Sequence, residues 1–166
     1  MQKSQQAFRI AAWIGLIFCL LVLTRFILFK KGPGYYRRYF AHEYGNYTVK
    51  EGWKYANVIP FHTIRLFSSR RVTSAYSFEN IGGNIVGFVP LGVFLPLVFF
   101  SLRRWWRTTL AVFSISLLFE LTQLLTGVGV FDVDDLILNT TGGVIGYLLF
   151  AGAFFLLKED IYLGSA

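Results

Sequence analysis

The sequence predicts an all-α integral membrane bundle of about four transmembrane helices with a long basic first loop. Two observations predict it. Of the 166 residues 55% are hydrophobic and only 15% charged, with a mean hydropathy of +0.53, whereas soluble domains carry charge at about a quarter of positions. The apolar residues also gather into four segments close to the roughly 20 residues needed to cross about 30 Å of hydrocarbon. In lipid a chain must satisfy its own backbone, which leaves helices as the solution for such segments.

The first segment, 10–29, follows Lys3 and Arg9 and is interrupted only by Arg25. It exceeds the apolar core of a cleaved signal, about 7–15 residues, and Lys30-Lys31-Gly32-Pro33-Gly34 follows it in place of a small-residue cleavage site, so 1–30 reads as a retained transmembrane anchor. Residues 31–80 are the large polar stretch. They hold a Tyr/Arg cluster at 35–39 and an apolar piece at 58–67 that is too short to span and is expected to be re-entrant or interfacial. The remaining spans fall at about 81–102, 108–125 and 136–157, within a membrane domain over 50–157. Pro90 and Pro96 predict a kink in the first of these. Arg103-Arg104-Trp105-Trp106-Arg107 forms a compact basic turn, whereas the turn at 126–135 has no Lys or Arg. The positive-inside rule then places both termini in the cytoplasm of a multi-pass plasma-membrane protein, with Lys30 and Lys31 as the contrary signal.

Several classes are excluded by counting. The single cysteine, Cys19, cannot form an intrachain disulfide or a cysteine-rich metal site, and His42 and His62 are too few and too far apart for a histidine-based zinc centre. The net charge of +7 comes from basic residues that flank apolar segments, where they meet lipid headgroups rather than nucleic acid. No cofactor is expected.

Ionisable and amide side chains are costly in lipid and face the bundle interior or a cavity, so they mark the candidate site. Glu120 lies near the end of the third span, about 7–8 Å deep at 1.5 Å per residue, with Gln123 and Ser116 on its face. Asn139 in the fourth span and Asn84 in the second lie about one turn from the same surface. Gly83-xxx-Gly87 and Gly142-xxx-Gly146 are patterns that let helices approach closely. Beside them stand Asp132, Asp134 and Asp135. Structural readings compete at each position: Glu120 as a clamp to Asn84, Asn139 or Arg25, the asparagines as helix bridges, Asp132 as a solvated turn residue, and Asp134 or Asp135 as the cap of the fourth helix.

The runs Asn57-Val58-Ile59-Pro60-Phe61, Asn84-Ile85-Val86-Gly87-Phe88-Val89-Pro90-Leu91-Gly92, Glu120-Leu121-Thr122-Gln123 and Phe131-Asp132-Val133-Asp134-Asp135-Leu136-Ile137-Leu138-Asn139-Thr140-Thr141-Gly142-Gly143 resemble the VanZ-like family in order and spacing. The resemblance covers about 50–157. It implies a small multi-span protein whose founding member accompanies glycopeptide-resistance genes and gives resistance to teicoplanin, with little effect on vancomycin; many relatives lie outside resistance clusters. Some relatives carry a basic residue just before the Phe-Asp-x-Asp-Asp turn, whereas this chain has Gly127-Val128-Gly129-Val130 there. Arg65, Arg70 or Arg71 would then have to supply a charge for an anionic group.

The expected ligand-binding set is therefore Asn57, Asn84, Glu120, Gln123, Asp132, Asp134, Asp135 and Asn139, with Arg65, Arg70 and Arg71. The expected partners are membrane lipids and a lipid-bearing amphiphile, either a lipoglycopeptide or a lipid-linked wall precursor, and a homodimer is compatible with the chain. Binding without catalysis is the leading reading. Glu120, Asp132, Asp134 and Asp135 as oxygen ligands of a metal acting on a lipid phosphate form the enzymatic alternative, although no nucleophile with a partner base is visible. A small lipid transporter is the third reading, with no internal repeat to support it.

Overall fold

The computed structural model describes residues 2–68 and 74–163, with side chains over 4–68 and 80–156. The long helices are α1 (Gln2–Ile27), α5 (Ser74–Val98), α6 (Trp105–Thr126) and α7 (Val133–Leu163); α2 (Pro33–Arg38), α3 (Val49–Tyr55) and α4 (His62–Ser68) are short, and no strand occurs among the described residues. Among the described residues four helices are long and apolar enough to cross a membrane: Ser4–Ile27, Asn80–Val98, Trp105–Thr126 and Val133–Leu156. The all-α membrane bundle is thus the observed fold. α5 runs as one continuous helix through Pro90 and Pro96, and the second span ends earlier than expected, because the chain tightens into a 3₁₀ turn at Phe100–Leu102.

The burial pattern is that of a protein in lipid. On α6 the buried face carries Thr108, Val112, Ser116, Glu120, Gln123 and Leu124, a stripe at helical spacing, while Leu110, Phe113, Leu118, Leu121 and Leu125 point outward. A water-soluble helix has the opposite arrangement. α1 buries Ala12, Leu16, Cys19 and Leu23, and three of these join Phe88, Leu91, Leu95 and Val112 in the apolar core.

α7 packs most extensively on α5, and α1 leans mainly on α5. Glycines set the first contact. A Cβ on Gly142 would strike the Ile85 carbonyl, one on Gly146 the Val89 carbonyl, and one on Gly92 the Gly143 carbonyl. The Gly142-xxx-Gly146 expectation therefore holds, but the α5 side of the contact is Gly92 rather than Gly83-xxx-Gly87. Gly83 meets nothing within 4 Å, and a Cβ on Gly87 would meet only Leu23, at an ordinary 3.6 Å.

Residues 33–68 of the expected loop hold the short helices α2, α3 and α4. α2 begins at Pro33, whose missing N–H suits the first turn, and Thr48 caps α3 by accepting from the Glu51 amide. Three tyrosines tie this region to the long helices by taking carbonyls left open at helix ends. Tyr36 donates to Leu28 O at 3.0 Å, Tyr39 to Thr126 O at 3.0 Å, and Tyr47 to Leu124 O. α6 ends at Gly127, whose φ of 67° completes a left-handed cap that a side chain would both strain and drive into Tyr39 and Tyr47.

Two outcomes follow for detergent-solubilised protein. Gly92→Leu and Gly142→Leu separate α5 from α7 and lower Tm or abundance sharply, whereas Gly152→Ala, with nothing within 4 Å, does not. Burial pushes the Tyr39 and Tyr47 hydroxyls above their usual 10.0, with further upward contributions to Tyr39 from Tyr47 and to Tyr47 from Glu51. A raised folded-state value means the capping bonds are intact below about pH 10 and are lost as pH rises through the shifted values. Tyr39→Phe and Tyr47→Phe should each cost about 1 kcal/mol at neutral pH and flatten the loss of Tm above pH 10.

Candidate functional site

At the end of the bundle where α6 leaves for α7, the chain at 127–132 is not helical and its peptide groups need partners. The Asp132 N–H donates to Glu120 Oε2 at 2.9 Å, so the buried Glu120 holds the turn that follows its own helix. Asn57 then pairs with this turn through its backbone. Its N–H donates to Phe131 O at 2.9 Å and its carbonyl accepts from the Val133 N–H at 2.9 Å, an isolated parallel bridge.

The side chains complete the clip. Asp132 Oδ1 accepts from Asn57 Nδ2 at 2.7 Å and from the Asp134 N–H at 2.8 Å, and its Oδ2 accepts from the Thr63 hydroxyl at 2.6 Å. Asp132 is therefore the cap of α7 and not a solvated turn residue. Asp134, fully buried, does not cap its own helix. Its two oxygens accept from the Phe61 and Ile64 N–H groups, so it caps α4 across the interface and holds Phe61 at its φ of 65°. The 58–67 piece, expected to be re-entrant or interfacial, is a turn plus the short helix α4, anchored to this clip.

Asp135 takes a third role, accepting from Asn84 Nδ2 at 2.6 Å and so joining α5 to α7. Asn139 donates to Ser116 Oγ at 2.9 Å, joining α7 to α6, and its own oxygen and the Thr140 hydroxyl are buried without a hydrogen-bond partner. None of the three clamps envisaged for Glu120 forms: Asn84 and Asn139 are engaged elsewhere, and Arg25 donates to Phe29 O. Gln123 donates to Ile27 O at 3.1 Å at the end of α1. Arg65 is exposed on α4, and Arg70 and Arg71 lie outside the described residues.

Among the described residues no three of His, Cys, Asp and Glu are arranged to hold a metal ion. The adjacent carboxylates of the turn diverge, each bonding different partners. The arrangement is suited to holding segments together and to presenting one amide, Asn84, outward.

Asn84 also lines a groove of about 800 Å³ between α1 and α5. Val22, Leu23, Phe26, Val86 and Phe88 make its apolar flanks; Lys30, Asn80 and Asn84 make its polar end. Lys30 is the one cation among the residues that line this groove. Reading the sequence for orientation alone overlooked it. Its position at the end of the first span is the signal the sequence carries.

Comparison with known proteins places these features in context. A family described as VanZ/LLP1 matches residues 14–157. Protein VanZ of Enterococcus faecium is 31% identical over 78 residues, 47% of this chain and 48% of that protein, so the chain matches about half the length of that curated relative. No solved structure matches.

The clip distinguishes its two aspartates. Asp134→Asn leaves one backbone N–H without an acceptor and should destabilise by about 1–3 kcal/mol. Asp132→Asn retains an oxygen for the Asp134 and Asn57 donors and offers its amide to Thr63, so its cost should stay below about 1 kcal/mol. Denaturation of the two variants in matched detergent measures the order.

Proposed function

The chain belongs to the VanZ/LLP1 family, and from that premise we propose that it binds a lipid-bearing amphiphile in the groove between α1 and α5 and contributes in this way to tolerance of teicoplanin. The groove carries this reading. Its volume of about 800 Å³ falls in the range of small-molecule sites, roughly 300–1,000 Å³, which combine apolar walls with a few placed polar groups. An acyl chain lies against Leu23, Phe26 and Phe88, and the polar head meets Lys30 and Asn84. Because Asn84 gives its amide N–H to Asp135, its oxygen is the atom turned to a ligand hydroxyl or amide. Teicoplanin carries a fatty acyl chain, whereas vancomycin has none, and a groove that reads the tail separates the two drugs. A lipid-linked wall precursor presents the same combination of tail and polar head and is the other ligand of this chemistry.

With both termini in the cytoplasm of the plasma membrane, the Lys30 end of the groove opens at the outer leaflet, where both ligands reside. The basic turn at 103–107 supports that orientation. The reading is one of binding without catalysis, in keeping with carboxylates that serve as hydrogen-bond acceptors for neighbouring segments.

Expression of the chain in a Gram-positive host should raise teicoplanin tolerance and leave vancomycin susceptibility unchanged. Gly83→Leu, which fills the groove from a position with open space, should abolish the gain at equal abundance. Lys30→Gln should weaken binding about tenfold, or ~1.4 kcal/mol. Full tolerance in both variants contradicts the groove as the binding site.

A further inference from the structure

We propose that a second groove, at the opposite end of the bundle, binds an anionic phospholipid, its phosphate held between Arg9 and Arg103. This site is separate from the α1–α5 groove of the preceding section and does not depend on it. It measures about 590 Å³, and Phe8, Leu97, Val98 and Phe100 form its apolar wall beside the two arginines. Arg9 also borders an adjoining groove of about 530 Å³ that runs past Ile10 and Trp13. Arg9 therefore stands where the two grooves meet, with Phe8, Leu97, Val98 and Phe100 on one side and Ile10 and Trp13 beside Gln5 and Gln6 on the other.

Arg103 is held in place before any ligand arrives. Its Nε donates to Pro96 O at 3.3 Å, and its guanidinium lies 4.7 Å from the Phe100 ring centre and 5.4 Å from that of Phe154. A guanidinium has five N–H donors in a rigid fork, so four remain for phosphate oxygens, a geometry arginine serves well. Arg9 is exposed on α1. Neither groove is lined by a carboxylate, and the sequence has none from position 1 to 42 or from 80 to 119. The two cations thus act on the ligand undiminished by a neighbouring acid among the lining residues. A zwitterionic lipid brings its own cation into this field and is disfavoured.

The surrounding aromatics set the depth. Trp13 packs edge-on against Phe99 at 5.3 Å, Trp105 and Trp106 are exposed, and the Arg107 guanidinium lies over Trp106 at 5.1 Å. Tryptophan at this density marks the headgroup level of a bilayer, and basic pockets between transmembrane helices suit anionic headgroups there. Apolar walls at that depth favour a lipid over a free anion.

The test uses the purified full chain in neutral detergent, titrated with mixed micelles of phosphatidylglycerol or phosphatidylcholine, with Tm as the readout. Phosphatidylglycerol should raise Tm in a saturable manner, and phosphatidylcholine and inorganic phosphate at equal concentration should not. Arg9→Gln, an exposed change, should weaken the apparent phosphatidylglycerol affinity about tenfold, Arg9→Lys should restore part of it, and Arg9→Gln with Arg103→Gln should remove the selectivity. Equal shifts with both lipids, an equal shift with phosphate alone, or an unchanged phosphatidylglycerol response in Arg9→Gln overturns the site. Because Arg9 makes no contact that the Arg103 anchor depends on, the single variant stays informative even if the double variant unfolds.

Discussion

Peptide N–H and C=O groups at the edge of a membrane's hydrocarbon core need partners inside the protein, since each one left open costs several kcal/mol. The break between α6 and α7 creates a stretch where the helix cannot supply them. Glu120 takes the Asp132 N–H, Asn57 pairs with the Phe131 and Val133 peptide groups, and Asp134 takes two N–H groups at the start of α4. The polar residues that look at first like a reaction centre are, in their primary role, substitutes for water at this break. That requirement explains why they are acids and amides and why adjacent aspartates serve different segments.

The groove follows from the same framework. Glycines let α5 and α7 approach until backbone carbonyls of one helix face the α-carbons of the other, and the Asn84–Asp135 bond locks their register. α1 has no comparable set of contacts. It meets α5 along the stripe of Leu16, Cys19 and Leu23, and Val22, Phe26 and Asn84 line the cleft between the two helices. The groove thus lies between the closely packed α5–α7 pair and the less extensively packed α1. The tyrosines at 36, 39 and 47 hold the connecting region against the ends of α1 and α6, so the mouth of the groove is also fixed.

The four spans were legible because a shortage of charge and helical-length apolar runs leave little alternative in lipid. Counting from the span ends puts Asn84, Glu120, Gln123 and Asn139 at similar depth, and in the structure each has its own partner: Asp135, the Asp132 N–H, Ile27 O and Ser116. Pairing was not legible, because amides and carboxylates on neighbouring helices have several partners of equal chemistry, and only the packing decides among them. Glu120 bonds a peptide N–H twelve residues on, a choice no side-chain pattern encodes. Gly83 and Gly87 match the small-residue spacing as well as Gly142 and Gly146 do, yet the contact falls on Gly92, since the rotation of α5 about its axis is set by Phe88 and Leu91 entering the core. Lys30 was visible in the sequence but had been weighed for topology alone.

The central claim is that the Asn57, Asp132 and Asp134 clip fastens the 57–68 segment to the end of the bundle. Amide hydrogen exchange of the full chain in lipid nanodiscs, comparing the native sequence with Asp132→Ala, tests it most directly. The account predicts that the native 57–68 segment is protected and that Asp132→Ala releases it to rapid exchange while the central turns of α5, α6 and α7 keep their protection. Rapid exchange of 57–68 in the native chain, or undiminished protection in the variant, would contradict it.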